Sequence, residues 1–501
     1  MIIKKIQEDK KTFVALFIYA FLLIFFCSKM SPLYPFNEWS DVNLYFNIGK
    51  AIAHGKVPYT EVFDHKGPLI FFIYSVGYLI SNTSFFGMYI IESLFWTIMI
   101  FAGYLTARLY LEKIRAFIIA LLFPVVTLSF ILEGGSAEEF ILVFQFVSLY
   151  FFVRHFNNKD SVLHNPVYMF VHGAMCAMTL LIKMNLIVFW FFPLLAIFVP
   201  LLIKKEYRNL IQNAIMYLAA IVLVILPMCI YFLANNALQE AWNIYVTLNR
   251  NYMIIDGPKD TIYTLLTRFF HFARYNTFDF FIVMLGAIYF PIKYIGNNWG
   301  KVSIILSFFS LFIIIHISPI FFLYYPIPYY VYTVLGCIAI CSYLRVSSTK
   351  LAYALTFIII LITGIKKQDF FGIKINALVN REIPEKSLVF QFSKHIEKEK
   401  DPTLLNLGLD TGNGVFTKTG ILPSFKYFIS PNLSHAIYPD MRDEQTRYIE
   451  NKEPQLIILT DFSFNIDYFK DLPALVDNYT VIDYFYEENT NKKYYLYKRN
   501  E

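Results

Sequence analysis

The chain of 501 residues contains few charged residues and few cysteines. Charged side chains make up 16% of the sequence, against about a quarter in soluble domains, and this shortage excludes a soluble enzyme. The five cysteines all lie in apolar segments, so they are core residues and not a disulfide or metal framework. The sequence also lacks a Walker loop and a dinucleotide fingerprint, so no motif predicts nucleotide binding.

Apolar and aromatic residues are abundant instead. Hydrophobic residues account for 57% of the chain, which includes 53 Phe and 37 Tyr, and the mean hydropathy is +0.51. They form blocks long enough to cross a bilayer. The net charge of +6 comes from basic residues that stand singly or in short groups between these blocks, which argues against nucleic-acid binding. We therefore predict a polytopic α-helical protein of the cell membrane.

The basic residues predict the topology of the membrane helices. The apolar run 12–27 follows four lysines, Lys4, Lys5, Lys10 and Lys11, so the N-terminus is expected in the cytoplasm. Further spans, which bring the total to about eleven, are predicted at 85–107, 114–132, 139–154, 166–183, 186–203, 209–233, 278–296, 302–320, 323–344 and 351–365. Alternation then leaves the basic clusters between spans in the cytoplasm, as the positive-inside rule requires.

The sequence predicts two domains. The first is a transmembrane domain over residues 1–365 with its first outer loop at 31–84, and the second is a soluble domain outside the cytoplasm over 366–501. Residues 68–80 are apolar but short for a span, so we interpret them as a helix at the outer surface, with a membrane span as the alternative.

The second domain has the turn residues that are typical of a soluble α/β fold. Pro, Asn, Asp and Gly separate its short apolar runs, which is typical of turns between strands and helices. Strands are expected at 404–409, 455–461, 479–485 and 493–499, and helices near 387–399 and 440–450.

The first outer loop is unusually rich in ionisable residues. Apolar residues recur at helical spacing over 41–54, which predicts an amphipathic surface helix with Asp41 near its N-terminus. Asp41 is either a helix cap or a reactive carboxylate. Lys66 lies two residues before Pro68, where its ammonium is either a lipid-phosphate site near a helix N-terminus or a snorkelling interfacial lysine.

The second outer loop is acidic. Glu133, Glu138 and Glu139 are crowded between two helices, with Gly134 and Gly135 allowing a tight turn. The loop is either a solvated turn or a source of carboxylates that face Asp41 across a cavity for acid–base work or a divalent ion. The spacing alone gives no metal motif, so whether a metal is bound stays unknown.

Polar residues also mark the outer ends of later helices. Lys183 is flanked by apolar runs, where a charge is costly unless it snorkels or pairs. His316 and residues 321–332, including Tyr324 and Tyr325, form either an aromatic belt or a pocket for a sugar or headgroup.

These motifs together resemble a known family. Asp41 with Tyr45, then GKAIAHGKVPY at 49–59 and FDHKGP at 63–68, are similar to the first outer loop of the GT-C membrane glycosyltransferases. The likeness is to the aminoarabinose-transferase and protein mannosyltransferase-like branch. The order of elements agrees over nearly the whole chain.

The resemblance implies roles for particular residues. It makes Asp41 the essential acid of the first loop and Glu138 or Glu139 the second-loop acid. Lys66 matches the lysine of a Lys-Pro-Pro-like motif, so Lys66, His65 and Tyr45 are expected to bind the donor phosphate. The match departs where the family has an arginine and this chain has Leu44, and where Gly67 replaces the first proline.

The resemblance implies a lipid-linked sugar donor. A polyprenyl-phosphate sugar would lose its sugar, with inversion, to an acceptor on the outer face, such as a wall polysaccharide or teichoic acid. No cofactor is called for, and a divalent cation is left open. The rival hypotheses are a transporter or flippase for a lipid-linked sugar, which predicts inverted repeats and charged mid-membrane helices, and a noncatalytic scaffold.

Overall fold

The computed structural model describes residues 9–129, 131–159, 162–255, 260–275, 277–318, 321–342, 349–380, 382, 387–431, 433–461, 466–488 and 491–501. Lys4 and Lys5, which support the predicted topology, lie outside the described residues.

The secondary structure is mostly helical. In chain order the elements are α1 Lys10–Cys27, α2 Ser40–Ala53, α3 Pro68–Ile80, α4 Phe86–Ala107, α5 Lys113–Leu128, α6 Ala137–Phe156, α7 Pro166–Leu180, α8 Val188–Ile203, α9 Tyr207–Ala234, α10 Leu238–Trp242, α11 Asn249–Ile255, α12 Thr261–Tyr275, α13 Thr277–Met284, α14 Phe290–Tyr294, α15 Asn298–His316, α16 Thr333–Cys341, α17 Thr349–Phe370, α18 Ile375–Val379, α19 Leu388–Ile396, β1 Leu404–Leu407, α20 Asn413–Thr419, α21 Pro439–Glu450, β2 Leu456–Thr460, α22 Ile466–Lys470, α23 Pro473–Asn478, β3 Tyr479–Glu487 and β4 Lys492–Arg499. Short 3₁₀ helices lie at Met184–Ile187, Ile327–Tyr332 and Leu409–Gly412, and π-helical turns at Asn243–Leu248 and Leu285–Tyr289.

The chain forms two compact units from segments that alternate along it. The first unit comprises Met1–Leu33, Tyr89–Met228 and Gly257–Lys374, and the second comprises Tyr34–Met88, Cys229–Asp256 and Ile375–Glu501. The second unit therefore combines most of the first outer loop with the C-terminal residues. The predicted division into 1–365 and 366–501, as membrane and outer parts, stays a prediction.

Six of the described helices are long and apolar enough to cross a membrane: Lys10–Cys27, Phe86–Ala107, Ala137–Phe156, Met184–Ile203, Tyr207–Ala234 and Asn298–His316. A pair bent by 116°, Thr261–Arg274 with Phe278–Tyr294, makes up to seven. Each of the six helices lies at a predicted span, and the second helix of the bent pair, Phe278–Tyr294, lies at the predicted span 278–296. This agreement confirms a polytopic helical membrane protein. The total of eleven stays a prediction, because shorter helices such as α5 and α7 occupy other predicted spans.

Helix burial separates the centre of the first unit from its periphery. Of the most apolar stretch of α6, 83% of residues are buried, against 11% for α9. A helix that is apolar all round and buried belongs to a core, whereas an exposed apolar surface of this kind faces lipid in a membrane protein.

The second unit contains a four-stranded mixed sheet in the order β1-β2-β4-β3. β1 and β2 are parallel, and Leu404 pairs with Leu456. β2 and β3 each run antiparallel to β4. Every residue of β1 and β2 is buried, which explains their continuous apolar sequences. The four strands and helices α19 and α21 lie where the sequence predicts them.

Helix α2 packs inside the second unit between α3 and α20. Its Asn47 side chain donates to the Asn413 carbonyl over 2.9 Å, and an added Cβ at Gly49 would lie 2.6 Å from the Ser75 nitrogen of α3. The predicted surface helix is thus present with nearly the predicted bounds, but most of it is buried. The amphipathic pattern predicted that the apolar side of α2 rests on the membrane surface, whereas in the structure α3 and α20 cover it.

Candidate active site

Asp41 lies in the first turn of α2, and the chain that leads into this helix is held by buried amides. Asn43 and Asn37 are fully buried. The Asn43 side chain donates to the carbonyls of Asn37 and Trp39, each over 2.8 Å, and the Asn37 side chain accepts from the Trp39 N–H over 3.0 Å. These bonds fix the backbone immediately before Asp41.

The Asp41 carboxylate itself is half-buried and contacts a phenol on the next turn. The Tyr45 hydroxyl donates to Asp41 Oδ2 over 3.4 Å, and the Tyr45 ring is fully buried against Phe71 and Tyr74 of α3. The carboxylate is thus placed beside the Tyr45 phenol and is partly accessible. Whether Asp41 is a helix cap or a reactive carboxylate stays a prediction.

Lys66 lies on the turn that leads into α3. The Tyr59 hydroxyl donates to the Lys66 carbonyl and the Asn249 side chain donates to the His65 carbonyl, each over 2.7 Å. Tyr59 adopts a φ of 71°, a left-handed conformation that is unfavourable for a bulky residue. The turn is thus fixed through its backbone, and the Lys66 side chain is half-exposed at the N-terminus of α3.

An acidic residue is buried beside this turn. Asp64 is 2% exposed, and its Oδ1 accepts from the His65 N–H over 2.8 Å. Burial raises the pKa of the Asp64 carboxyl, while the nearby Lys66 ammonium lowers it. Asp64 thus provides a fixed acidic partner at the base of the Lys66 turn.

The first unit contains the second acidic loop, and there the structure gives its two adjacent carboxylates different partners. Glu138, which is 1% exposed, forms an ion pair of 2.7 Å with Lys183. The Lys183 ammonium also lies 3.8 Å from the centre of the Tyr325 ring. Lys183 is therefore paired, which offsets the cost of burying a charge in an apolar segment. Three predicted site residues, Glu138, Lys183 and Tyr325, thus lie in contact.

Glu139 is bound into a second buried cluster. The Trp96 indole N–H donates to Glu139 Oε1, and the Gly135 N–H donates to Oε2 over 2.8 Å. The buried carboxyl group of Glu92 lies close to that of Glu139. The Ser28 hydroxyl donates to Glu92 over 2.7 Å.

Glu92 and Trp96 are missed by the sequence reasoning. Glu92 interrupts the apolar sequence of α4, and a carboxyl inside a membrane helix is in itself a reason to suspect a functional or structural partner. That signal is present in the sequence, but Glu139 as its partner is visible only after folding.

His316 and the late aromatic residues form a packed cluster. His316 is fully buried between the rings of Phe312 and Phe321, at 4.2 Å and 5.1 Å. Tyr324 is 5% exposed and its ring packs against Tyr325. Tyr325 also contacts Lys183, a predicted site residue outside this segment.

The predicted residues thus form two groups: Asp41, Tyr45, His65 and Lys66 in the second unit, and Glu138, Glu139, Lys183, His316, Tyr324 and Tyr325 in the first. The hypothesis that second-loop carboxylates face Asp41 stays a prediction. Among the described residues, no group of three or more His, Cys, Asp and Glu residues is arranged to hold a metal ion, and the open question of a divalent cation stays untested.

Known proteins resemble this chain in part of its sequence and in its fold. Residues 65–232 match the family model of dolichyl-phosphate-mannose-protein mannosyltransferase. ArnT from Cupriavidus metallidurans bound to undecaprenyl phosphate superposes with a TM-score of 0.62 at 11% identity, over 97% of both chains. The oligosaccharyltransferase of Archaeoglobus fulgidus, in complex with Zn and sulfate, gives 0.52 at 15% identity, over 96% of this chain and 72% of that one. No curated protein matches the sequence at a significant level.

The predicted fold class is therefore confirmed. The structural matches show the GT-C fold, and the match over residues 65–232 supports the transferase family. The chain is thus a polytopic helical membrane protein with the GT-C fold, and part of it matches a mannosyltransferase family model.

Proposed function

We propose that the protein transfers a sugar from a polyprenyl phosphate to a hydroxyl of a cell-envelope acceptor on the outer face of the membrane. The observation that carries the proposal is the geometry of Asp41. A half-buried carboxylate in the first turn of α2 is held by the Tyr45 phenol, in the same compact unit as the Lys66 turn. The fold of this chain resembles that of ArnT, whose structure was solved with undecaprenyl phosphate bound, and this likeness supports a lipid-phosphate donor.

The reaction is a single inverting displacement. The acceptor oxygen attacks the anomeric carbon, the bond between that carbon and the phosphate oxygen breaks, and the polyprenyl phosphate leaves. Asp41 takes the proton of the acceptor hydroxyl as general base. The Lys66 ammonium stabilises the charge that develops on the phosphate, and His65 and Tyr45 line the same donor region.

The proposed acceptor follows from the predicted topology. A wall polysaccharide or teichoic acid fits the envelope location that the topology predicts, with the N-terminus in the cytoplasm and the C-terminal residues outside. The α/β part of the second unit is proposed to hold this acceptor, since α2 packs directly on α20.

The test is transfer of label from a panel of polyprenyl-phosphate sugars to envelope extract by purified protein in lipid. Asp41→Asn keeps the size of the side chain and removes the base, so we expect transfer to fall by about 10²–10⁴-fold with unchanged abundance and thermal unfolding. Asp471→Asn, at an exposed position, is the matched control. Full activity in Asp41→Asn would refute the base assignment.

Lys66→Ala tests the donor site separately. Loss of the ammonium should weaken donor use, seen as a higher KM for the labelled lipid or a lower kcat, while Lys470→Ala, at an exposed position, should leave both unchanged. Equal donor kinetics in wild type and Lys66→Ala would place the phosphate elsewhere.

A further inference from the structure

A cavity of about 350 Å³ lies in the first unit, among the ends of three helices. Val126 and Ser129 come from the C-terminal end of α5, Asp279 from the start of α13, and Ile362 and Lys366 from the last turns of α17. Its volume falls within the range of small-molecule sites, about 300–1,000 Å³. None of the residues in the two proposed catalytic groups lines it.

The lining of the cavity is amphipathic. Val126, Ile362 and Phe370 contribute apolar surface, and Ile362 and Phe370 are 49% and 58% exposed on the outside of the unit. Ile362 lies within the predicted span 351–365, where an exposed apolar side chain faces lipid. The cavity is thus continuous with surface that contacts the hydrocarbon of the bilayer.

The polar part of the lining carries a net positive charge. Lys366 and Lys367 both line the cavity, and Asp279 is the acidic residue among the lining residues that the structure describes. The Ser129 hydroxyl donates to the Val126 carbonyl over 2.5 Å. Lys367 is 6% exposed and donates to the Ile131 carbonyl, so its ammonium is fixed.

The predicted topology places all three helix ends at the outer face. Spans 114–132 and 351–365 run outward and span 278–296 begins there, so the two ammonium groups are expected at the depth of the outer headgroups. Lysines at this depth attract anionic lipid phosphates. The apolar surface below them matches the start of a lipid chain.

We propose that this cavity binds an anionic phospholipid of the outer leaflet. Its phosphate lies at Lys366 and Lys367, and the start of one acyl chain lies against Val126 and Ile362. This site is separate from Lys66 and does not depend on the transfer reaction.

The test is photolabelling of the full-length protein in phosphatidylcholine nanodiscs that contain photoactivatable phosphatidylglycerol, with the labelled peptide mapped. We expect label within residues 349–370, which unlabelled phosphatidylglycerol displaces and phosphatidylcholine does not. Lys366→Ala should reduce labelling about fivefold. Val126→Trp fills the cavity and should reduce it independently of charge. Lys350→Ala, at the other end of the same helix, is the matched control.

Three results would overturn the proposal. Equal labelling by phosphatidylcholine would mean ordinary annular lipid. Unchanged labelling in both Lys366→Ala and Val126→Trp would place the lipid elsewhere. Displacement by geranylgeranyl phosphate at lower concentration than by phosphatidylglycerol would assign the cavity to an isoprenoid phosphate. Thermal unfolding of each variant shows whether its fold is intact.

Discussion

Lys50 is a buried cation in the middle of the unit that carries Asp41. It is 2% exposed, and its ammonium donates to the carbonyls of Phe416 and Ile421 over 2.9 Å and 2.6 Å. Burial lowers the pKa of Lys50 to about 7, whereas an unfolded lysine has a pKa of about 10.4. Between these values the unfolded chain binds a proton that the folded chain does not, so stability should rise with pH in this window.

Lys50→Met should abolish that pH dependence. In the wild type the Lys50 contribution to the free energy of unfolding should rise by about 1.4 kcal/mol per pH unit above pH 7 and level off near pH 10.5. The measurement is the thermal midpoint in detergent from pH 6 to 10, with Lys400→Met as the exposed control. If wild type and Lys50→Met change in parallel over this range, Lys50 does not titrate as its burial indicates.

Single residues differ in how far the sequence reveals them. Asp41 and Lys66 could be chosen from the sequence because they stand in a loop motif with a characteristic order of residues. Lys50 stands in the same loop, but its burial depends on carbonyl groups more than 360 residues away. The partner of Glu139 is hidden in the same way, because Glu92 lies on another helix.

At the scale of elements, the crossing of α2 and α3 relates the two proposed catalytic residues. Asp41 lies in the first turn of α2 and Lys66 precedes α3. The two helices contact each other at Gly49, where an added Cβ would lie 2.6 Å from the backbone nitrogen of Ser75. A backbone neighbour cannot rotate away as a side chain does. Any side chain at position 49 must therefore separate the helices.

Gly49→Ala should destabilise the second unit by about 1–3 kcal/mol, the usual cost of overpacking, and should reduce transfer by changing the position of Asp41 relative to Lys66. Gly77→Ala is the control, because an added Cβ there meets the flexible Met88 side chain. Thermal unfolding and transfer rates report the two effects. If Gly49→Ala and Gly77→Ala have the same unfolding temperature and transfer rate, the contact between α2 and α3 accommodates a larger residue without cost.

The elements themselves were largely predictable. Continuous apolar runs bounded by turn residues identify β1 and β2, and helical spacing identifies α2, because these patterns depend on neighbours in the sequence. The packing of α2 on α20 depends on segments far apart in the sequence, and local periodicity carries no information about it. The amphipathic pattern of α2 therefore predicts a helix on the membrane surface, although in the structure other parts of the protein cover it.

For the whole molecule, the predicted topology makes a simple test. A reporter fused after Glu501 should be active outside the cytoplasm, and one inserted after Lys204, in the exposed turn between α8 and α9, should be active inside. Periplasm-active phosphatase and cytoplasm-active fluorescent fusions read out the two sides. A cytoplasmic signal after Glu501 would contradict the odd number of spans.

The second unit closes only when the last part of the chain has been made. The Asn47 side chain and the Asn413 carbonyl that it binds are 366 residues apart. At about 5–20 residues per second, roughly 20–70 s of synthesis separate them. During that interval α2 is without its partner helix, with buried amides and Lys50 unsatisfied. Biogenesis of this protein therefore depends on whatever shields the first outer loop until the segment around Asn413 has been made.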